Sequence, residues 1–279
     1  MSRRSSAARI GASAKIHETR PASACCDNCP VPGTERTERR RAQAASFGAV
    51  AATYERARPS YPARAIDWLL PPGAGRVLDL GAGTGKLTRA LVDRGLDVAA
   101  VEPSAGMRDE LARVLPGVRV LDGTAEAIPL ADRSVDAVLV AQAWHWVDPA
   151  LAVPQAARVL TPGGRLGLLW NIRDERAGWV AELSAIIHNP DHFDNGSEAP
   201  VIGPPFGPAE RLDVEWARVM TRREVIDLVA SRSYMIMMEP AARTEVLARV
   251  RHLLDTHPGL GLAEITLPYV TRCSRAQLA

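Results

Sequence analysis

The residues with the most chemistry per position are 79 to 85, DLGAGTG. An apolar run (Val77, Leu78, Leu80) carries one acid, Asp79, and gives way to Gly81, Gly83 and Gly85 at alternate positions. A helix-like stretch, LTRALVDRG, follows. A strand that breaks into a glycine turn and then a helix lets backbone approach a ligand closely, because no Cβ stands in the way. The acid sets the charge of that ligand. A carboxylate at the carboxyl end of the strand repels a pyrophosphate and attracts an ammonium or sulfonium group. This favours S-adenosylmethionine over a dinucleotide.

Further candidates stand at strand ends downstream. Glu102 closes the run DVAAVE, 17 residues after Gly85, and is followed by Pro103. A carboxylate there accepts two hydrogen bonds from vicinal ribose hydroxyls. The same device serves dinucleotide enzymes, so it speaks for a nucleoside more than for one cofactor. In AQAWHWVD (141–148), His145 stands between Trp144 and Trp146. A neutral imidazole there is either a general base on a hydroxyl or amine, or a residue that holds its loop. The two tryptophans either wall a sulfonium by cation–π contact or simply pack. Asn171, Arg173 and Asp174 leave the end of a later strand, where open α/β sheets bind ligands. Arg173 suits an acidic substrate or an exposed salt bridge.

No metal site is expected. The cysteines are Cys25, Cys26, Cys29 and Cys273, and CCDNC contains one CxxC without a second ligand pair. His188 and His192 are four apart, but Pro190 breaks the helix that would align them.

Strands alternating with helices must position these groups. Apolar runs predict strands at 76–80, 97–102, 118–123, 135–142 and 165–171, then near 212–219 and 264–271. Helical patterns fall at 63–70, 86–94, 104–115, 149–160, 174–187, 221–230 and 240–256. The fold class that follows is α/β: a doubly wound, Rossmann-like, seven-stranded and mostly parallel sheet, helices on both faces, the last strand antiparallel. Residues 189–210 are rich in Pro, Gly and Asn and read as a long loop, inside an irregular substrate-side insertion at 188–240.

Composition narrows the class. Of 279 residues, 47% are apolar and 24% charged, enough for one large domain. Residues 1–45 hold nine Lys/Arg against four Asp/Glu, a net of +5, with few large apolar side chains. They read as a disordered basic tail. The rest carries −3 overall, which is no nucleic-acid footprint. No apolar stretch approaches the roughly 20 residues of a membrane span. Arg3-Arg4 lacks the apolar segment of a secretion signal, so a cytoplasmic monomer or homodimer is expected.

Together these motifs resemble class I S-adenosylmethionine-dependent methyltransferases, in particular the broad small-molecule group called type 11. The resemblance covers residues 46–279 as one methyltransferase domain and is most specific at 77–174. It implies S-adenosyl-L-methionine as cofactor and a small-molecule acceptor. It places the cofactor's methionine part against the backbone of Gly81, Ala82, Gly83 and Gly85. Asp79 would orient the amino group, directly or through water, and Glu102 and Pro103 would border the ribose. Where the family commonly has an acid contacting adenine, DGTAEAIPL has Thr124, so Thr124 or the backbone of Ala125 serves; Glu126 is a ligand contact or a turn residue. Gln142 opens toward the cofactor. The segment from Phe47 to Pro62 resembles the family's lid, with Tyr54 on cofactor, substrate or core.

Two other readings compete. A dinucleotide oxidoreductase spaces its glycines GxGxxG, whereas here they run GxGxG. A phosphate-binding loop is ruled out because Leu80 and Leu87 replace its first glycine and its Ser/Thr. A cofactor-binding regulator without turnover stays open.

Overall fold

The computed structural model describes residues 58–187, 202–261 and 264–279, together with Pro200. The basic tail with its three cysteines, the lid residues up to position 57 with Tyr54, and His188 and His192 lie outside the described residues.

In chain order the elements are α1 (Ala63–Leu69), β1 (Arg76–Leu80), α2 (Lys86–Val92), β2 (Asp97–Val101), α3 (Ala105–Val114), β3 (Arg119–Leu121), β4 (Val135–Ala141), a 3-10 turn at Trp144–Trp146, α4 (Pro149–Val159), β5 (Leu160–Arg173), α5 (Gly178–Ile186), β6 (Glu210–Met220), α6 (Arg222–Ala230), α7 (Ser233–Met237), α8 (Pro240–Thr256) and β7 (Ile265–Gln277). The seven strands form one sheet in the order β3-β2-β1-β4-β5-β7-β6. β3 through β5 pair in parallel, whereas β7 runs antiparallel to both β5 and β6. The last strand is thus antiparallel as the pattern predicts, but it inserts between β5 and β6.

Burial on both faces explains the continuous apolar runs. From Val77 to Leu80 every residue of β1 is buried, as parallel strands covered by helices require. One face packs Leu78, Val138 and Leu168 against Val153 and Ala156 of α4. The other packs Val77, Leu139 and Leu169 against Ile66 and Leu69 of α1 and Leu91 of α2. A third core joins α5, α6, α7 and α8 to β7, with Leu183, Leu228, Leu253 and Leu267 at its centre.

Between β1 and β4 the chain order reverses, a topological switch point at the carboxyl ends of the strands. Such a point is where ligands bind in open α/β sheets. It positions the glycine turn after β1 beside the segment that follows β4.

Several boundaries differ from expectation. β5 begins at Leu160, which pairs with Val135, and Thr161–Gly164 bulge out of the register before pairing resumes at Arg165. β7 extends to Gln277, because a strand with two partners stays paired along its whole length. Much of the region read as irregular is regular: 210–237 forms β6, α6 and the short α7. A capping box, in which Thr221 Oγ1 accepts from the Glu224 amide and Glu224 Oε2 accepts from the Thr221 amide, starts α6.

Candidate active site

The turn after β1 is shaped by close approach. Gly81 has φ +73, and a Cβ on it would lie 2.8 Å from the Cβ of Ala143. The loop after β4 therefore presses against the turn, and only glycine fits there. The Gly81 and Ala82 amides both donate to the carbonyl of Val101, at 2.8 and 3.1 Å, which pins the turn to the end of β2. Gly85, at φ +92, starts α2 against Leu111 and Leu115 of α3.

Glu102 completes this tie. Its Oε2 accepts from the Gly83 amide and its Oε1 from the Ser104 amide, each at 2.9 Å. Burial pushes its carboxyl up from the ordinary value, against the pull of those amides and of Arg108. Each oxygen keeps a second lone pair, so a vicinal diol remains within the group's capacity. Pro103 is exposed beside it, and its carbonyl accepts from Arg108.

Asp79 is fully buried behind the turn and does not line the cleft. Its Oδ2 accepts from Thr88 Oγ1 at 2.6 Å, while the enclosed Oδ1 has no hydrogen-bond partner among the described residues. Burial raises its pKa to about 7, with the Glu102 charge adding a little and the Thr88 hydrogen bonds opposing. A carboxyl so placed is poised between its two protonation states near neutral pH. A neighbouring cation favours the ionised one.

The cleft beside the turn is lined by Gly81, Ala82, Gly83, Thr84, Lys86 and Leu87. Gln142 and Asn171 close it from the ends of β4 and β5. Arg58, Pro59 and Tyr61 border it on the N-terminal side, and Leu228, Arg232 and Tyr269 come from the C-terminal elements. Gln142 holds φ +58, a left-handed conformation that is unusual for a residue with a Cβ and frequent at functional sites. Its side-chain Nε2 donates to the Asn171 carbonyl at 3.4 Å. Asn171 is itself occupied: Nδ2 donates to the Ser60 carbonyl at 3.0 Å and Oδ1 accepts from Thr271 Oγ1 at 2.6 Å. In this geometry it anchors the N-terminal border of the cleft to the sheet.

The other sequence candidates fall elsewhere. Trp144 is 5% exposed and sits in the core between the sheet and α4, outside the cleft lining. His145 and Trp146 are half-buried on the same 3-10 turn, their rings tilted at 45° with centroids 4.8 Å apart. Thr124 is exposed and bridges to Ala127, and Ala125 is buried in the core. Glu126 Oε1 accepts from the Asp148 amide at 3.0 Å, a loop-to-loop tie. Arg173 is half-buried, with Nη2 donating to Ser184 Oγ at 3.0 Å.

Sequence reasoning did not single out Thr88, Leu228, Arg232 or Tyr269 as individual residues. Thr88 carried a signal, a hydroxyl one helical turn into α2 behind an acid. The other three reach the cleft only through long-range packing. Among the described residues, no group of three or more His, Cys, Asp or Glu side chains could hold a metal ion, and no helix is long and apolar enough to cross a membrane.

Comparison with known proteins identifies the family. Residues 78–168, which span β1 through most of β5, match the family described as a methyltransferase domain. An uncharacterized methyltransferase of Mycobacterium tuberculosis (strain ATCC 25618 / H37Rv) is 58% identical over 241 residues, covering 86% of this chain and 98% of the relative. A methyltransferase-like protein of Schizosaccharomyces pombe is 34% identical over 223 residues, covering 76% and 87%. Among solved structures, a protein of Anaeromyxobacter dehalogenans assigned as a type II methyltransferase superposes with a TM-score of 0.63 at 23% identity, covering 79% of this chain and 98% of that one. That likeness concerns the fold, whereas the likeness to the mycobacterial relative is one of sequence over most of both chains. A glycine turn tied to a buried strand-end acid, on a sheet with one inserted antiparallel strand and so extensive a likeness to these relatives, places the chain in the class I methyltransferase family.

Proposed function

We propose that this methyltransferase takes its methyl group from S-adenosyl-L-methionine and passes it to a small-molecule acceptor by direct in-line displacement. The observation that carries the reading is the pairing of a close-approach glycine turn with two buried carboxyls, Asp79 and Glu102. Buried acids at this turn suit an ammonium group and a diol, and they oppose a pyrophosphate. The residues fit the cofactor on a second count. Asp79 Oδ1 is an enclosed acceptor without a partner among the described residues and, standing behind the turn, would act on a donor in the cleft through water or the turn's backbone.

Gly81, Ala82 and Gly83 would carry the methionine part, Asp79 its amino group and Glu102 the ribose. Thr124 and the backbone of Ala125 would border the adenine, and Gln142 would face the cofactor from β4. When bound, the sulfonium supplies the electrophilic methyl group. This chain's residues then have two tasks, alignment and exclusion of water. The backbone around Gly81 fixes one end of the line of attack. Arg58, Pro59 and Tyr61, anchored through Asn171, border the cleft where water must be kept out. Proton removal would fall to solvent where the acceptor atom is acidic enough, since His145, the candidate base, does not line the cleft.

Calorimetry separates this reading from a dinucleotide site. S-adenosylhomocysteine should bind at roughly micromolar strength, with NADH and ATP far weaker. The reverse ranking overturns the proposal. A regulator without turnover would bind equally well but transfer no labelled methyl group to any acceptor in a broad small-molecule screen.

A further inference from the structure

Several half-buried arginines in this chain are answered by carboxylates. Arg94 pairs with Asp67, Arg108 with Asp122, Arg158 with Asp132 and Arg275 with Glu210. Arg173 and Arg232 are different. Among the described residues neither makes an ion pair, and the Nε of each is enclosed without a hydrogen-bond partner. A guanidinium stays charged at any physiological pH, and an enclosed one without an acceptor is costly unless an anion arrives to meet it.

Tyr269 links the two arginines. Arg232 lines the cleft together with Tyr269, and Tyr269 sits opposite Arg173 in the β5–β7 register. Arg58 reaches the same place, its Nη2 lying 3.5 Å from the carbonyl of Ser231. Burial and the nearby Arg58 both weaken the hold of Arg173 on its proton, while Tyr234, Tyr269 and Glu175 support it. Positive charge is thus gathered at one border of the cleft, with two phenols beside it. A planar guanidinium fork matches a carboxylate or phosphate, and a phenol adds a hydrogen bond.

We propose that the methyl acceptor carries an acid group, carboxylate or phosphate, seated by Arg173 and Arg232 beside Tyr234 and Tyr269. This rests on the methyl-donor reading, because the glycine turn and Arg232 line the same cleft. An acid held at Arg232 directs the remainder of the acceptor along that cleft toward the turn. The cofactor's own carboxylate has the same chemistry, so the two sources must be separated. Lys86, at the turn itself, lines the same cleft.

The test titrates the full chain, saturated with S-adenosylhomocysteine, with inorganic phosphate and with acetate, against chloride at equal ionic strength. The expected result is saturable binding of phosphate or acetate that chloride does not reproduce, weakened about tenfold or more in Arg173→Gln and in Arg232→Gln, while Arg232→Lys retains part of it. Unchanged S-adenosylhomocysteine affinity in each variant certifies the fold and the donor site together. Binding no stronger than chloride, or equal binding in wild type and variants, overturns the proposal. So does competition of the wild-type chain's phosphate or acetate with S-adenosylhomocysteine, which would give the arginines to the cofactor. If S-adenosylhomocysteine does not bind at all, the donor reading fails. The same anion titrations, run without it, then still decide whether Arg173 and Arg232 form an anion seat.

Discussion

Replacing Asp79 by Asn removes a buried charge without changing the shape of the side chain. In the folded chain, burial lifts this carboxyl from 3.8 to about 7. At about 1.4 kcal/mol per pH unit, that separation is worth roughly 4 kcal/mol. Its sign follows from proton binding. A folded-state pKa above the unfolded one means that the folded chain binds the proton more tightly, so the group favours folding at low pH. That contribution is present in full below about pH 4, is lost as pH rises toward 7, and does not change above it. The amide in Asp79→Asn would keep an oxygen for Thr88 Oγ1 and would not titrate. The stability of Asp79→Asn relative to wild type should therefore rise by roughly 3–4 kcal/mol between pH 4 and pH 9. Urea denaturation of both proteins across that range measures the difference, in which all other titrating groups cancel. Affinity for S-adenosylhomocysteine should move the other way. The wild type should bind more tightly as pH rises to about 7, whereas the variant should lose about 1–3 kcal/mol and show no such rise. A stability difference that stays flat with pH would refute the assignment of a buried, desolvated carboxyl at the turn.

Gly81→Ala should destabilise the chain by about 1–3 kcal/mol, since its Cβ meets Ala143 and its backbone is left-handed; thermal denaturation measures it, and a neutral outcome would mean that the loop after β4 is free to retreat. Glu102→Gln should weaken S-adenosylhomocysteine about tenfold or more, because an amide cannot accept from both Gly83 and Ser104 and also meet a diol; equal affinity by calorimetry would remove Glu102 from the site. Asn171→Ala should cut the tie to Ser60 and leave Thr271 without its acceptor, at about 1–3 kcal/mol, with faster proteolysis near residue 60; an unchanged cleavage rate would show the tie to be idle.

What was legible in the sequence was local. The apolar run of β1, its glycine turn and the helix at 240–256 follow from patterns a few residues long, and α8 begins and ends where its periodicity does. The acid at 102 was readable because a strand end fixes where its side chain starts. Its partners were not, since the Gly83 amide comes from another loop. Trp144 illustrates the opposite failure: an aromatic beside a histidine looks functional, yet the 3-10 turn points it into the core. The segments around Arg232 and Tyr269 could be assigned to the pocket, but not the individual residues: Tyr269 meets the cleft only once β7 has inserted beside β5, and Arg232 only through long-range packing. The inserted antiparallel strand is a long-range pairing, and no local period encodes it.

The central claim is that the turn at 81–85 and Glu102 hold the methyl donor. Hydrogen exchange with and without S-adenosylhomocysteine reads that site directly. The account predicts slowed exchange of the Gly81, Gly83 and Ser104 amides on adding S-adenosylhomocysteine, and none on adding NADH. Protection confined to other segments, or stronger protection by NADH, would contradict it.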